Sequence, residues 1–233
     1  MNPDKTKIAA VIPAAGQGSR MKAGINKQYL MLRGKPILAH TLDIFENSPL
    51  IHEIILVINQ NEFDICRKQV LSTRRYKKVK IVPGGATRQE SVYAGLKQVD
   101  PACSIVLIHD GARPLLSKHV LARCIEETRQ HHATICAVPA KNTIKVVDAA
   151  GVVVSTPDRS TLYEVNTPQG FDYPLILAAH EQALAEGFTG TDDASLVEYY
   201  GHPVKVVPDG YNNIKITTPE DLIIAESIIA FSR

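Results

Sequence analysis

Apolar residues occur in short runs rich in valine and isoleucine, and these runs alternate with segments in which apolar residues recur every three or four positions. The first pattern predicts buried strands, and the second predicts amphipathic helices. The predicted strands cover residues 8–13, 53–59, 79–84, 104–110, 133–140 and 204–209. The predicted helices cover residues 36–47, 62–71, 87–99, 117–131, 174–187 and 219–231.

This alternation predicts the fold class. Continuous apolar strands that alternate with helices are typical of a mostly parallel sheet covered by helices on both faces. We therefore predict one α/β domain over residues 1–233, with a single doubly wound, Rossmann-like sheet.

Residues 142–159 depart from the alternation. They contain two short apolar segments, TIKVV and VVVST, joined around DAAG, which predicts a β-hairpin. The alternation is too weak to bury both faces on the parent sheet. We expect a protruding arm that packs on another subunit; the alternative is a hairpin folded onto its own domain.

Composition restricts the class of partner. The net charge of +2 results from 26 basic and 24 acidic residues mixed along the chain, so no long basic block is available for nucleic acid. No apolar stretch has the length of a membrane span, and the first apolar run is too short for a signal peptide. The cysteines lack C-x-x-C spacing and lie in apolar patterns, which is typical of core residues; they are Cys66, Cys103, Cys124 and Cys136. We expect a cytoplasmic protein with reduced thiols that binds neither nucleic acid nor membrane.

The first predicted strand leads into a glycine-rich segment, VIPAAGQGSRM, at residues 11–21. Glycines at this place, Gly16 and Gly18, allow backbone amides to approach phosphate oxygens. A dinucleotide fingerprint would need a third glycine at Met21, and an NTPase phosphate loop would need Gly-Lys-Ser/Thr, so neither motif is present. The cations that follow, Arg20, Lys22 and Lys27, favour a triphosphate site over a simple turn with solvated cations.

Two further clusters follow predicted strands. In VPGGATRQESV, Thr87 and Glu90 have the spacing of a helix cap, and the functional alternative is that Gly85 and Ser91 border a pocket for a pyrimidine base. In IHDGARP, Asp110 ends a strand, where a carboxylate can bind the Mg²⁺ that accompanies a triphosphate. A buried carboxylate needs a cationic partner, so Arg113 either pairs with Asp110 or reaches a substrate phosphate. We interpret His109 as a packing residue and not as a base.

For the last clusters, the neighbouring sequence gives weaker evidence of a functional role. DRSTLYEVNTPQGF contains Arg159, Thr167 and Gln169 near the root of the arm, and GTDDASL offers Thr191 as a helix cap. Lys215 is predicted on a short strand that enters the last helix, where an isolated lysine is usually solvated.

A set of motifs occurs along the chain in this order: VIPAAGQGSRM, NKQY, GG..R..SV, HDGARP, NTPQGF, TDDAS and NNIKIT.PEDL. With this set the chain resembles the 2-C-methyl-D-erythritol 4-phosphate cytidylyltransferases over about residues 7–230. The resemblance implies a nucleotidyltransferase that joins CTP and the methylerythritol phosphate, with Mg²⁺, to give 4-diphosphocytidyl-2-C-methyl-D-erythritol and pyrophosphate. It also implies a homodimer in which the arm crosses to the partner. A departure is Ala86, where some relatives carry an acidic residue, so a side-chain contact to the nucleotide is lost there.

The same resemblance implies roles for individual residues. The segment from Ala14 to Gly18, including Gly16, wraps the nucleotide; phosphates are held by Arg20, Lys27 and Lys215. Cytosine is surrounded by Ala14, Ala15, Gly85 and Ser91. The sugar phosphate is bound by Asp110, Arg113, Thr143, Arg159, Thr167, Thr191 and Lys215, of which Thr143 and Arg159 would serve the partner's site.

The chemistry expected is a direct displacement, because the nucleophile is already an anion and the problem is to bring two anions together. Three alternatives remain open at this point: the same transfer to ribitol 5-phosphate, a regulatory protein that binds a nucleotide without turnover, and a dinucleotide-dependent oxidoreductase, which Met21 disfavours.

Overall fold

A computed structural model of the protein describes residues 6–16 and 26–231. Its strands are β1 (Lys7–Pro13), β2 (Met31–Leu32), β3 (Lys35–Pro36), β4 (Glu53–Ile58), β5 (Val79–Pro83), β6 (Cys103–Ile108), β7 (Ala133–Pro139), β8 (Val146–Val147), β9 (Val153–Ser155), β10 (Tyr163–Asp172) and β11 (Lys205–Pro208). Its helices are α1 (Ile37–Glu46), α2 (Phe63–Gln69), α3 (Arg88–Leu96), α4 (Lys118–His131), α5 (Tyr173–Glu186), α6 (Asp193–Tyr199) and α7 (Pro219–Phe231).

Seven strands form the central sheet, in the order β11-β7-β10-β6-β1-β4-β5. The pairings of β1 with β4 and β6, of β4 with β5 and of β7 with β11 are parallel. Only β10 runs antiparallel to its neighbours in this sheet, β6 and β7. The prediction of a mostly parallel sheet is therefore confirmed.

The two faces of the sheet carry separate cores because side chains alternate along each strand. In β1, Ile8, Ala10 and Ile12 pack into the cluster that contains α1 and α4 residues. Ala9 and Val11, between them, pack into the cluster that contains α3 and α5 residues. Helices thus cover both faces, as the doubly wound class requires. The four cysteines are buried and free, as expected for core residues.

The strand that the hydrophobic pattern does not predict is β10, with the sequence YEVNTPQGFD. Its middle is polar and contains the cis peptide bond between Thr167 and Pro168. Its register with β7 is interrupted between Val165 and Gln169. Proline and an irregular register remove the alternation that identifies a strand, although the segment lies inside the sheet.

Two local predictions are wrong. The N-cap of α6 is Asp192, whose carboxylate accepts a hydrogen bond from the amide of Ser195 at 2.9 Å, and not Thr191. Lys215 lies in a loop before α7 and not on a strand. The cap of α3 is as predicted, because the Thr87 hydroxyl accepts a hydrogen bond from the Glu90 amide at 3.1 Å.

The predicted hairpin is confirmed as β8 and β9, which form an antiparallel pair separate from the central sheet. Apolar side chains of this arm are exposed; Val152 and Val154, for example, keep 61% and 65% of their surface accessible. Among the described residues, no helix combines the length and the hydropathy needed to cross a membrane.

Candidate active site

A cavity of about 230 Å³ opens at the carboxyl ends of β1, β5 and β6. Ligands of open α/β sheets bind at this edge. Eight of the predicted site residues line it: Ala14, Ala15, Gly16, Lys27, Gly85, Ser91, Asp110 and Lys215. Gly18 and Arg20, also predicted here, lie outside the described residues.

Backbone and small side chains form one wall of the cavity. At Gly84 a Cβ atom would lie 2.6 Å from the Cβ of Ala15 and 2.8 Å from the hydroxyl of Ser91, so only glycine lets these segments meet. The Ser91 hydroxyl donates to the carbonyl of Thr87 at 2.8 Å and accepts from the amide of Gly85 at 3.1 Å. This wall therefore has a fixed arrangement of backbone polar groups, as recognition of a base edge would need.

The opposite wall contains a carboxylate surrounded by cations. The Oδ2 atom of Asp110 lies 2.9 Å from the Lys215 ammonium and 3.6 Å from Nε of Arg113, while its Oδ1 atom lies 3.4 Å from Nε of Arg88. Burial alone would raise the pKa of Asp110, but these cations hold it well below its ordinary value. Asp110 is therefore ionised at neutral pH, and the wall keeps an excess of positive charge.

Arg88 is the cavity residue that sequence reasoning missed. It stands in the motif GG..R..SV, but no role was assigned to it there. A cation in the first turn of α3 is unfavourable next to the positive end of the helix dipole. That conflict was a usable signal, because a residue in an electrostatically poor position usually has another partner.

Arg113 lies behind Asp110 and is itself buried. Besides the contact with Asp110, its Nη1 atom donates to the side-chain oxygen of Asn166 at 2.8 Å and to the carbonyl of Asn213 at 2.7 Å. Burial lowers the pKa of Arg113 from its ordinary value. Of the two alternatives for Arg113, the structure contains the pairing with Asp110. A contact between Arg113 and a substrate phosphate stays a prediction.

Thr167 and His109 form a chain of hydrogen bonds that begins at the backbone amide of Asp110. The Thr167 hydroxyl lies 3.1 Å from the amide of Asp110 and 3.0 Å from Nδ1 of His109, and Nε2 of His109 lies 3.0 Å from the carbonyl of Arg113. A carbonyl only accepts, so Nε2 carries the proton and Nδ1 accepts from the hydroxyl. Burial lowers the pKa of His109 to about 4. The imidazole is therefore neutral at physiological pH and serves packing and hydrogen bonding.

Lys27 begins a single turn of 3₁₀ helix, Lys27–Tyr29, that is bonded to Glu62, the residue that precedes α2. Glu62 accepts hydrogen bonds from the side chains of Asn26, Gln28 (3.1 Å) and Tyr29 (3.0 Å). Gln28 also donates to the carbonyl of Ala14 at 2.8 Å. The turn that carries Lys27 is thus tied both to Glu62 and to the first residue after β1.

We predict that Glu62→Ala lowers turnover about tenfold or more with the fold retained, because it would misplace Lys27, which is expected to contact the phosphates, and a displacement of even about 1 Å is costly. Steady-state kinetics measure the loss, and circular dichroism checks the fold. The matched control is Asp64→Ala, which removes an exposed carboxylate two residues away. Equal turnover by the two variants would show that Glu62 does not position the turn.

The remaining predicted residues do not line this cavity in the same chain. Thr143, Arg159 and Thr191 are exposed. Arg159 donates to the carbonyl of Lys141 at 2.9 Å and lines a second, open cavity at the root of the arm. A single chain therefore brings Lys27, Gly85 and Ser91 together with Asp110, whereas Thr143, Arg159 and Thr191 lie outside the cavity.

Comparisons with known proteins show the family to which the chain belongs. A family profile described as IspD, 2-C-methyl-D-erythritol 4-phosphate cytidylyltransferase, matches residues 8–230. The enzyme of that name from Geobacter metallireducens is 50% identical over 226 residues, which cover 95% of this chain and 97% of that protein. The one from Alkaliphilus oremlandii is 47% identical over 229 residues, covering 98% and 97%.

Solved structures give the same result. The 4-diphosphocytidyl-2C-methyl-D-erythritol synthase of Anaerococcus prevotii superposes with a TM-score of 0.88 at 38% identity, with 97% of each chain covered. The Thermus thermophilus cytidylyltransferase has a TM-score of 0.79 at 30% identity, covering 96% of this chain and 98% of its own. This chain therefore belongs to the 2-C-methyl-D-erythritol 4-phosphate cytidylyltransferase family.

Proposed function

We propose that this protein transfers the cytidylyl group of CTP to 2-C-methyl-D-erythritol 4-phosphate, a step in the synthesis of isoprenoid precursors. The observation that carries the proposal is the cavity lined by the cations Lys27, Arg88 and Lys215, of which Arg88 and Lys215 contact its single carboxylate among the described residues, in a chain of this family. An excess of fixed positive charge suits a reaction in which two anions must approach one another.

The reaction is an in-line displacement. An oxygen of the acceptor phosphate forms a bond to the α-phosphorus of CTP, and the bond from that phosphorus to the bridging oxygen breaks, so that pyrophosphate leaves with the electron pair. Lys27 and Lys215 flank the α-phosphate and stabilise the charge on its oxygens, and Arg20 holds the departing phosphates. No general base is required because the nucleophile is already ionised.

A divalent cation is proposed to accompany the triphosphate. Mg²⁺ is usually held by one or two carboxylates together with substrate phosphates and water. Asp110 is the only carboxylate on the wall of this cavity among the described residues, and both of its oxygens already face cations. Asp110 would therefore hold a metal as a single protein ligand at most; substrate phosphates and water would supply the other ligands, and the metal would neutralise phosphate charge.

The proposal is tested by calorimetric titration with CTP, UTP and ATP, followed by detection of the cytidylyl product. CTP should bind tightest, and product should form only with CTP and the acceptor. A chelator should abolish turnover, and added Mg²⁺ should restore it. Equal binding of the three nucleotides would contradict the pyrimidine pocket, and full turnover in the chelator would remove the metal.

We also propose a homodimer in which the arm of one copy completes the site of the other. Support comes from the exposed valines of the arm, since a contiguous apolar surface of this kind marks an interaction site. Arg159 lies outside the nucleotide cavity of its own chain, which is consistent with a role in the partner's site.

Mixing two defective variants tests this arrangement. Arg159→Ala should weaken binding of the acceptor phosphate, and Lys27→Ala should lower turnover about a hundredfold or more, each in a different copy. When both are produced together, about half of the dimers are mixed and each has one intact site, so about a quarter of wild-type activity should return. No recovery, although mass spectrometry detects the mixed dimer, would contradict the shared site.

The cytoplasm is the proposed compartment, because the four cysteines are buried as free thiols, which suits a reducing environment. Cell fractionation with an antibody against the chain tests this proposal. Recovery of the protein outside the cytoplasmic fraction would contradict it.

A further inference from the structure

A second carboxylate, Asp193, lies behind the cavity and has no role in the proposed reaction. It is the first residue of α6, and only 1% of its surface is accessible. The Nη2 atom of Arg88 lies 2.7 Å from Oδ2 of Asp193. Arg88 therefore spans two carboxylates, Asp193 in the interior and Asp110 at the cavity wall.

His180 lies on the other side of Asp193. It is completely buried on α5, and its Nε2 atom is 3.4 Å from Oδ1 of Asp193. Tyr93 of α3 packs parallel to the imidazole with 6.2 Å between ring centroids. Burial alone would raise the pKa of Asp193, but Arg88 and His180 hold it below its ordinary value. The carboxylate thus stays charged and keeps Arg88 in place.

The contacts of Arg88 with Asp110 and Asp193 fix the orientation of its guanidinium group. Arginine is planar, so fixing Nε near Asp110 and Nη2 on Asp193 also fixes the direction of Nη1. Nη1 makes no hydrogen bond to another described residue. The Arg88 side chain is one-third accessible and lines the cavity. A lysine at this position could not be held at two points in this way.

The local charge also favours an anionic ligand. Of the charged side chains that line the cavity, Lys27, Arg88 and Lys215 are positive and Asp110 is negative, which gives these four residues a net charge of +2. A charge-assisted hydrogen bond from a fixed guanidinium is among the stronger contacts that a protein makes to phosphate.

We propose that Asp193 is a positioning residue, supported by His180, which orients Arg88 so that Nη1 donates to an anionic oxygen of the nucleotide. The inference rests on the proposed function for the identity of that nucleotide. It assigns Arg88 to direct contact with CTP, and Asp193 to an action that passes through Arg88.

A double-mutant cycle on CTP affinity tests the proposal. Calorimetry of the whole protein with CTP and Mg²⁺ should show that Arg88→Ala and Asp193→Asn each weaken binding about tenfold. The double variant should bind no more weakly than Arg88→Ala alone, because Asp193 has nothing left to orient. Losses that multiply to about a hundredfold would overturn the proposal, as would unchanged affinity in Asp193→Asn.

Two further variants separate positioning from loss of folding. Asp193→Glu keeps the carboxylate and should recover affinity to within about threefold, while Arg88→Lys keeps the charge but should remain weakened, because it cannot bridge two carboxylates. The matched control is Asp172→Asn, which removes the charge of a carboxylate at the start of α5. The Oδ2 atom of Asp172 lies 2.7 Å from Nδ1 of His132, and neither residue lines the cavity. That variant should bind CTP like wild type; a loss equal to that of Asp193→Asn would overturn the proposal.

Failure of the proposed function has a different signature. A wild-type protein that binds CTP without transferring the cytidylyl group would contradict the proposed function. The double-mutant cycle on CTP affinity would still test the role of Asp193. A wild-type protein that does not bind CTP would overturn both.

Discussion

The Lys27→Ala variant is expected to turn over about a hundredfold or more slowly than wild type, because loss of one group that stabilises transition-state charge costs about 3 to 4 kcal/mol. Lys27 lines the cavity on a turn that is anchored by the side chains of Gln28 and Tyr29. Steady-state kinetics with saturating CTP and acceptor measure the effect.

The matched control for Lys27→Ala is Lys68→Ala, which removes an exposed lysine from α2. Both proteins should have wild-type melting temperatures, and only the first should lose turnover. Near-normal kcat in a folded Lys27→Ala protein would remove this lysine from the mechanism.

Lys215→Ala is expected to have an effect of similar size, again about a hundredfold or more in kcat. The Lys215 ammonium lies 2.9 Å from Asp110 and is 38% accessible, so it can also reach a ligand in the cavity. Its removal should cost little stability, because Arg88 and Arg113 remain beside Asp110. The pKa of Asp110 should rise towards its ordinary value, since Lys215 is a principal cause of its depression.

Lys205→Ala is the control for this second variant, because Lys205 is an exposed lysine on β11, ten residues earlier in the chain. Comparison of kcat with the acceptor KM shows where the loss occurs. A loss confined to KM would make Lys215 a binding residue only, and equal activity of the two variants would contradict its assignment.

The sequence predicts the parts of the fold that depend on local pattern. Runs such as IAAVI (residues 8–12) and IVLI (residues 105–108) are buried on both faces, and their apolar continuity identifies them without tertiary information. The strand β10 is not predictable in this way. Its polar residues are tolerated because Gln169, for example, uses both ends of its amide, donating to Asp192 at 2.6 Å and accepting from the Ala194 amide at 3.1 Å.

The candidate site also combines residues whose position can be predicted from local sequence with residues whose position depends on tertiary packing. Gly85, Ser91 and Asp110 follow predicted strands, and parallel strands place such residues at one edge of the sheet, so their meeting is predictable. Lys215 and Arg88 come from a loop and from a helix start, and their approach to Asp110 depends on tertiary packing. Lys215 was assigned through resemblance, whereas Arg88 emerged from the contacts that it makes to two carboxylates.

The most direct test of the account is pyrophosphate release by the purified protein with CTP and Mg²⁺, comparing 2-C-methyl-D-erythritol 4-phosphate with ribitol 5-phosphate as acceptor. The account predicts rapid release with the methylerythritol phosphate and little with the ribitol phosphate. Preference for ribitol 5-phosphate would contradict the proposed acceptor while keeping the nucleotide site, and no release with either, in a protein that binds CTP, would contradict catalysis itself.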